Sequence, residues 1–355
     1  MVKVFLCISL SRKREYCNLL YLHSKRVVKR YITPDDFKDV YGKARQRGLS
    51  FILSKFNFKA LDRTRSAFDT SVNQSSNWWS IPLVNDRWDQ KITGNANRDY
   101  EDLLVNDILK GKQNVRLISF GCGDGSHELK LASYGVFEEI VGIDVAPNLI
   151  AEANQKAKIA GLDHASFICD DIYTMKLAPS YYDVVLFHSA LHHFKNVEQL
   201  LVNFIKPCLQ PNGILVINEY VGPDRLQFAE KQVKAINTAL KIIPSKYKKR
   251  FQSNRIKSKF YGSGVLRMII ADPSECVDSS SIMPAIHSNF KVVYERAYGG
   301  NILMNVLKDI SHHFTNPTIE ATDVLNQLFE IEDDYLQNNP SDFVFGVYRN
   351  TKHID

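Results

Sequence analysis

The residues best placed to do chemistry begin in the string VRLISFGCGDG, where an apolar run at 115–120 passes directly into Gly121, Gly123 and Gly125 and then into a helical pattern. Glycines at such a junction let the chain turn tightly and let a ligand approach the backbone, because a Cβ would occupy the ligand's space. The spacing is G-x-G-x-G. Ser126 stands where a dinucleotide loop needs its third glycine, and no G-K-[ST] follows, which excludes a P-loop. A structural turn is the plainer reading of a glycine triplet alone, but two further sites keep it company. Asp144, nineteen residues beyond Gly125, ends the run EIVGID, where a carboxylate can accept both hydroxyl protons of a ribose; its alternative is to cap the helix starting near Pro147. Asp170, Asp171 and Ile172 follow the next apolar run and offer a carboxylate for an adenine amino group and an apolar side chain for its face. Three successive strand ends thus offer contacts to a nucleoside.

The elements that must hold these sites are legible as an alternation. Strand-like runs at 115–120, 140–144, 166–169, 184–188 and 214–219 are separated by helical patterns at 127–133, 147–160 and 197–209, and a further helix at 99–110 leads in, with Gly111 able to end it. Five apolar runs with intervening helices read as a parallel sheet covered on both faces, an α/β architecture. About seventy residues then separate the fifth run from the next at 291–295, more than a crossover needs, which marks an insertion. Two more helical patterns lie in 301–337 before a last strand at 342–348.

The motif order FGCGDG, GID, DDI, YYDVVLFHSALHHF and LQPNGILVINEY resembles the class I S-adenosylmethionine-dependent methyltransferases over about 113–219. The flanking strings NWWSIPLVNDRW, NEYVGPDRLQF, ADPSECVDSSSI, YGG and SDFVF look like a bacterial subgroup associated with glycan or natural-product biosynthesis. The resemblance implies a doubly wound Rossmann-like sheet of seven mostly parallel strands, order 3-2-1-4-5-7-6, with the last antiparallel. It implies S-adenosylmethionine as cofactor, held by Gly121, Gly123, Asp144, Asp171 and Ile172, with His188 and Ser189 nearby. One departure stands out: the family often has an acidic residue two positions before the first glycine, and this chain has Ser119, leaving Asp124 as a compensating candidate.

A methyl sulfonium is already strongly electrophilic, so the protein has to align the acceptor, exclude water and, for a hydroxyl, remove a proton. No metal is required, and H-E-x-x-H is absent around His312-His313. The strand-end loops offer His193, then His192, then Glu219 as the group that takes the proton; packing or capping is the plainer role for each histidine, and an ion pair for the carboxylate. Tyr220, Asp224, Arg225 and Tyr298 form the expected rim toward the acceptor. Trp78, Trp79 and Trp88 read as core or lid anchors.

Composition bounds the rest. With 355 residues, 45% hydrophobic, the chain can build a large core, and no apolar run approaches the roughly eighteen residues of a membrane span. Six cysteines without C-x-x-C or framework spacing fit a reducing cytoplasm. The net charge of +6 hides +11 in residues 1–65 and −5 elsewhere, and 241–260 holds eight basic residues and no acid. Such runs are usually solvated faces; an anionic acceptor, nucleic acid or membrane surface is the alternative. The expected organisation is a basic extension (1–75), a helical lead-in (76–112), a core (113–222 and 286–350) and a lid-like insertion (223–285). The expected activity is methyl transfer, foremost O-methylation, of a small-molecule, sugar or glycan acceptor. The alternatives are an RNA methyltransferase and a catalytically inactive cofactor-binding protein of the same fold.

Overall fold

A computed structural model describes residues 29–37 and 76–351; apart from 29–37 the expected extension 1–75 lies outside them, as do Cys7 and Cys17 of the six cysteines. Seven strands form one sheet in the order β3-β2-β1-β4-β5-β7-β6, with β1 Val115–Phe120, β2 Phe137–Asp144, β3 Ala165–Cys169, β4 Tyr182–His188, β5 Leu209–Tyr220, β6 Lys291–Gly299 and β7 Phe343–Arg349. Pairing is parallel from β3 through β5, and β7 runs antiparallel to both neighbours, as the resemblance implies. The ends of β1 to β5 that carry the glycine loop, Asp144, Asp171, His188 and Glu219 therefore share one edge.

The strand residues alternate between two cores. Ile118, Phe120, Val185 and Phe187 face the helical segment 197–208 and the helix Ile282–Asn289, whereas Leu117, Val184 and Leu186 face Pro82–Thr93, Ser126–Ala132 and Pro147–Ala160. Burial on both faces is why these strands read as unbroken apolar runs. Two expected helices are not continuous α-helix: Tyr100–Leu103 passes into a π turn at Leu104–Ile108, and Val197–Leu200 into another at Leu201–Ile205. Apolar spacing cannot separate an α turn from a π turn that keeps the same face inward.

A third apolar cluster redraws the expected insertion. Its helix Glu230–Ile242 buries Ile236, Ala239 and Leu240 against Leu303, Val306, Phe314, Val324 and Leu328 from the segment between β6 and β7, with Trp78, Ile81 and Val84 of the lead-in. Segments 223–285 and 301–337 thus build one cap. Trp78 and Trp88 pack edge to face at 4.5 Å within it, while Trp79 is exposed and anchors nothing in the core. Three of the eight basic residues of 241–260 are tied into this cap: Lys246 pairs with Glu320, Arg250 with Asp309, and buried Lys257 donates to the carbonyls of Asn305 and Lys308. No helix among the described residues is long and apolar enough to cross a membrane.

Candidate active site

The glycine loop is shaped by what surrounds it. Gly121 has φ +73°, and a Cβ there would lie 2.4 Å from Ala190 Cβ in the loop after β4; at Gly125, φ +71°, it would strike Phe167 at 2.6 Å. Both positions therefore need glycine for packing as well as for backbone conformation. Gly123 differs, since a Cβ there meets nothing within 4 Å, so the open side of the loop lies at the middle glycine. Asp144 braces it: one carboxylate oxygen accepts from Gly123 N at 2.9 Å and the other from Ala146 N at 2.8 Å. The capping alternative for Asp144 is thus only half met, because its second bond reaches back to the glycine loop. Asp171 is half-buried with Oδ1 accepting from Tyr173 N. Ile172, expected to cover an adenine face, is instead buried in the sheet core, with 4% of its surface exposed. Ser189 is exposed, and its N–H donates to Asn218 O.

Ser119, where the family often has an acidic residue, meets a carboxylate from the helix Ser126–Ala132. Ser119 Oγ donates to Glu128 Oε1 at 2.5 Å, both residues are fully buried, and Glu128 Oε2 has no hydrogen-bond partner among the described residues. Burial raises the Glu128 carboxyl above its ordinary range, against the Ser119 bond and the charge of His127. Asp124, the residue expected to compensate, is held instead by Lys156 at 2.5 Å and by Ser126 Oγ. Beside Glu128 sits a chain of rings. Tyr100 OH bonds His188 Nδ1 at 2.8 Å, the His127 and His188 rings stack at 3.6 Å, and His127 Nδ1 meets Glu101 at 2.6 Å. Burial, with the His127 charge, holds His188 well below the usual histidine range.

The fold and this crevice can be set beside known proteins. A methyltransferase-domain family matches residues 111–291, half of the chain. The chain belongs to the class I S-adenosylmethionine-dependent methyltransferases. Its cofactor is S-adenosylmethionine. Among its relatives, a probable S-adenosylmethionine-dependent methyltransferase of Saccharomyces cerevisiae is 26% identical over 53% of this chain and 65% of its own length. A ubiquinone biosynthesis O-methyltransferase of Rickettsia conorii is 30% identical over 32% and 37%, and a 23S rRNA (uracil-C5)-methyltransferase of Shewanella amazonensis is 42% identical over 23% and 18%. The chain spans less than two thirds of the length of these relatives. A solved phosphoethanolamine N-methyltransferase 2 of Haemonchus contortus covers 81% of this chain and 60% of its own at 13% identity and a TM-score of 0.48.

In the methyltransferase, the expected proton-transfer residues do meet, in unequal roles. Glu219, fully buried at the end of β5, accepts from the N–H groups of Ala190 and Leu191 through Oε1 and bonds His192 Nδ1 at 2.7 Å through Oε2. Its oxygens are thus engaged in shaping the loop after β4. Burial opposes charge on His192, but the charge and hydrogen bond of Glu219 outweigh it and raise that imidazole above its ordinary value. His193, 4.3 Å away ring to ring, is pushed down by burial and by the His192 charge. Its Nδ1 bonds Ser274 Oγ at 3.1 Å, and its Nε2 lies 3.8 Å from Glu275 Oε2. Asp272, Ser274 and Glu275 belong to the 223–285 segment and were not expected at the site; a contact spanning eighty residues leaves no local spacing to read.

The expected rim residues separate. Tyr220 and Tyr298 are buried, their hydroxyls donating to Pro223 O and Asn218 Oδ1, so neither forms part of an open rim. Asp224 and Arg225 line a cavity of about 750 Å³ at the same sheet edge, walled by Val221, Val265, Val277, Met283 and Val344. Both also hold the cap's loops: Asp224 accepts from Ser280 N, and the Arg225 guanidinium donates to the carbonyls of Pro273 and Glu275. Asp342, also in the wall, is pushed by burial from 3.8 to about 7, despite the bond from Gln232. A carboxyl that ionises near 4 unfolded and near 7 folded contributes stability below pH 4 that is lost as pH rises through 7. The Asp342→Asn protein is therefore expected to lose this decline and to be more stable than wild type at pH 8 by on the order of 2 kcal/mol, measured by urea unfolding across pH 4–8.

Proposed function

We propose that this methyltransferase transfers the methyl group of S-adenosylmethionine to an oxygen of a small molecule, sugar or glycan whose body occupies the cavity under the cap. The observation that carries this reading is the cavity: its volume and mainly apolar wall, broken by a few charged groups, suit a ring-bearing small molecule rather than a polymer backbone. The basic run 241–260, the main support for an RNA substrate among the described residues, has Lys246, Arg250 and Lys257 bound within the cap. The free thiols of Cys122, Cys169, Cys208 and Cys276 accord with action in the cytoplasm.

In this reading Gly121 and Gly123 admit the methionine part of the cofactor, and Glu128 Oε2 accepts from its ammonium group. Asp144 takes the ribose hydroxyls and Asp171 the adenine amino group, with His188 and Ser189 beside them. The acceptor oxygen lies against His192 and His193, in line with the methyl carbon and sulfur. An oxygen lone pair forms the new C–O bond, the C–S bond breaks with its electrons going to sulfur, and the hydroxyl proton is released. Placement and exclusion of water account for most of the rate.

The test pairs calorimetry with S-adenosylmethionine and turnover on a panel of hydroxylated aromatic, glycosidic and RNA acceptors. His193→Ala is expected to lower the maximal rate at least ~100-fold while leaving cofactor affinity within about twofold. Turnover on RNA alone, or a His193→Ala protein of wild-type rate, would overturn the reading.

A further inference from the structure

The two histidines and Glu275 carry a consequence for what else occupies the acceptor end of the crevice. Ser274 Oγ lies 2.6 Å from Asp272 Oδ1, to which it gives its single hydrogen, so its contact with His193 Nδ1 is received as an N–H bond. The lone pair of His193 then sits on Nε2, which faces another lone-pair atom, Glu275 Oε2, across 3.8 Å. His192 is fixed the same way. Glu219 Oε2 accepts from its Nδ1, leaving Nε2 as its ligating atom. One ligand atom each from His192, His193 and Glu275 all lie within 4.8 Å of one another. Electron-pair donors brought this close repel unless a positive charge, a proton or a metal ion, lies between them.

We propose that His192, His193 and Glu275 bind one divalent first-row metal ion, which in turn binds the acceptor's hydroxyl oxygen. Two imidazoles and a carboxylate are a donor set for zinc, iron(II), cobalt or nickel rather than for magnesium or calcium. The surrounding groups support the choice, since a metal-binding histidine almost always donates its other N–H to a carboxylate or similar acceptor, and here His192 gives it to Glu219 and His193 to Ser274, which is itself held by Asp272. Burial differs usefully: the His192 side chain is 10% exposed and that of His193 16%, whereas Glu275 is 34% exposed, so the ion has an entry path on the carboxylate side and open positions for a ligand. The loop that carries the histidines follows Ala190, the residue packed on Gly121, which puts the ion at the cofactor's end of the crevice. Bound there, it lowers the pKa of a coordinated hydroxyl, whose proton passes to water before the oxygen attacks the methyl carbon. Because Glu275 comes from the cap and the histidines from the core, the ion also ties the two together.

The metal role rests on the methyltransferase reading for its chemistry but not for its detection. The full-length protein, stripped with chelator, is titrated with Zn²⁺, Co²⁺, Ni²⁺ and Mg²⁺, and bound metal is counted by mass spectrometry after gel filtration while the thermal midpoint is followed. One equivalent of zinc, cobalt or nickel per chain, with a raised midpoint, is expected in the wild type, and Glu275→Gln and His193→Ala are each expected to bind at least ~100-fold more weakly. Calorimetry of the same variants with S-adenosylhomocysteine is expected to stay within about twofold of wild type, which shows both to be folded. Absence of stoichiometric metal from the wild type, or binding undiminished in Glu275→Gln, overturns the site, and in either case the cofactor titration independently upholds or defeats the methyltransferase reading.

Discussion

Calorimetric titration of the Asp144→Ala protein with S-adenosylhomocysteine is expected to give an affinity on the order of a hundredfold below wild type. Two losses combine. The carboxylate no longer meets the ribose hydroxyls, for which two charge-assisted bonds amount to about 3 kcal/mol. It also no longer accepts from Gly123 N and Ala146 N, so the glycine loop that admits the methionine part loses its brace to β2. Asp171→Asn separates the two effects, because the Asp171 carboxylate accepts from Tyr173 N and does not brace the glycine loop; a loss of about tenfold is expected there. Unchanged affinity in Asp144→Ala would falsify the placement of the nucleoside at β2 and with it the proposed orientation of the whole cofactor.

How far the sequence discloses this site follows from the range of the contacts. The glycine loop, Asp144 and the loop after β4 are each fixed by a strand that runs straight into them, and a parallel strand buried on both faces is the easiest element to read from composition. The number and order of the seven strands came from the family resemblance and not from the spacing itself. The edges are harder to read: β6 extends to Gly299, past the expected 291–295, because Arg296 and Ala297 just beyond that range are exposed and break the apolar run. For Ile172 spacing does not choose, because an isoleucine at a strand end fits both an adenine face and a core. Glu128 was missed although Ser119 signalled it: a small hydroxyl at a position commonly acidic leaves room for a carboxylate from elsewhere, and the first turn of the helix after Gly125 is the near source. Glu275 gave no such signal. Its partner His193 is about eighty residues away, and only the cap's shared core with 301–337, itself invisible to local periodicity, brings the two loops together.

Glu219 gives the sharpest separation of structure from chemistry. Glu219→Ala is expected to destabilise the protein by about 3–5 kcal/mol in urea unfolding, because the amides of Ala190 and Leu191 and the Nδ1 of His192 lose a fully buried acceptor. Glu219→Gln should behave differently. The amide oxygen of glutamine can still accept from both backbone groups, so the fold is kept within about 1–2 kcal/mol. Its NH₂, however, now faces His192 and can only donate, which forces the imidazole to accept at Nδ1 and to carry its proton on Nε2. That proton occupies the atom assigned to the metal or the acceptor. Turnover is therefore expected to fall about 10–100-fold in Glu219→Gln while cofactor affinity stays near wild type, and the His192 ring nitrogens should exchange roles in a ¹⁵N spectrum. A glutamine protein that keeps full turnover with an inverted His192 tautomer would show that the Nε2 lone pair has no part in the reaction. One that loses turnover without inversion would assign Glu219 a role through the carboxylate itself, contrary to the positioning derived from its three bonds.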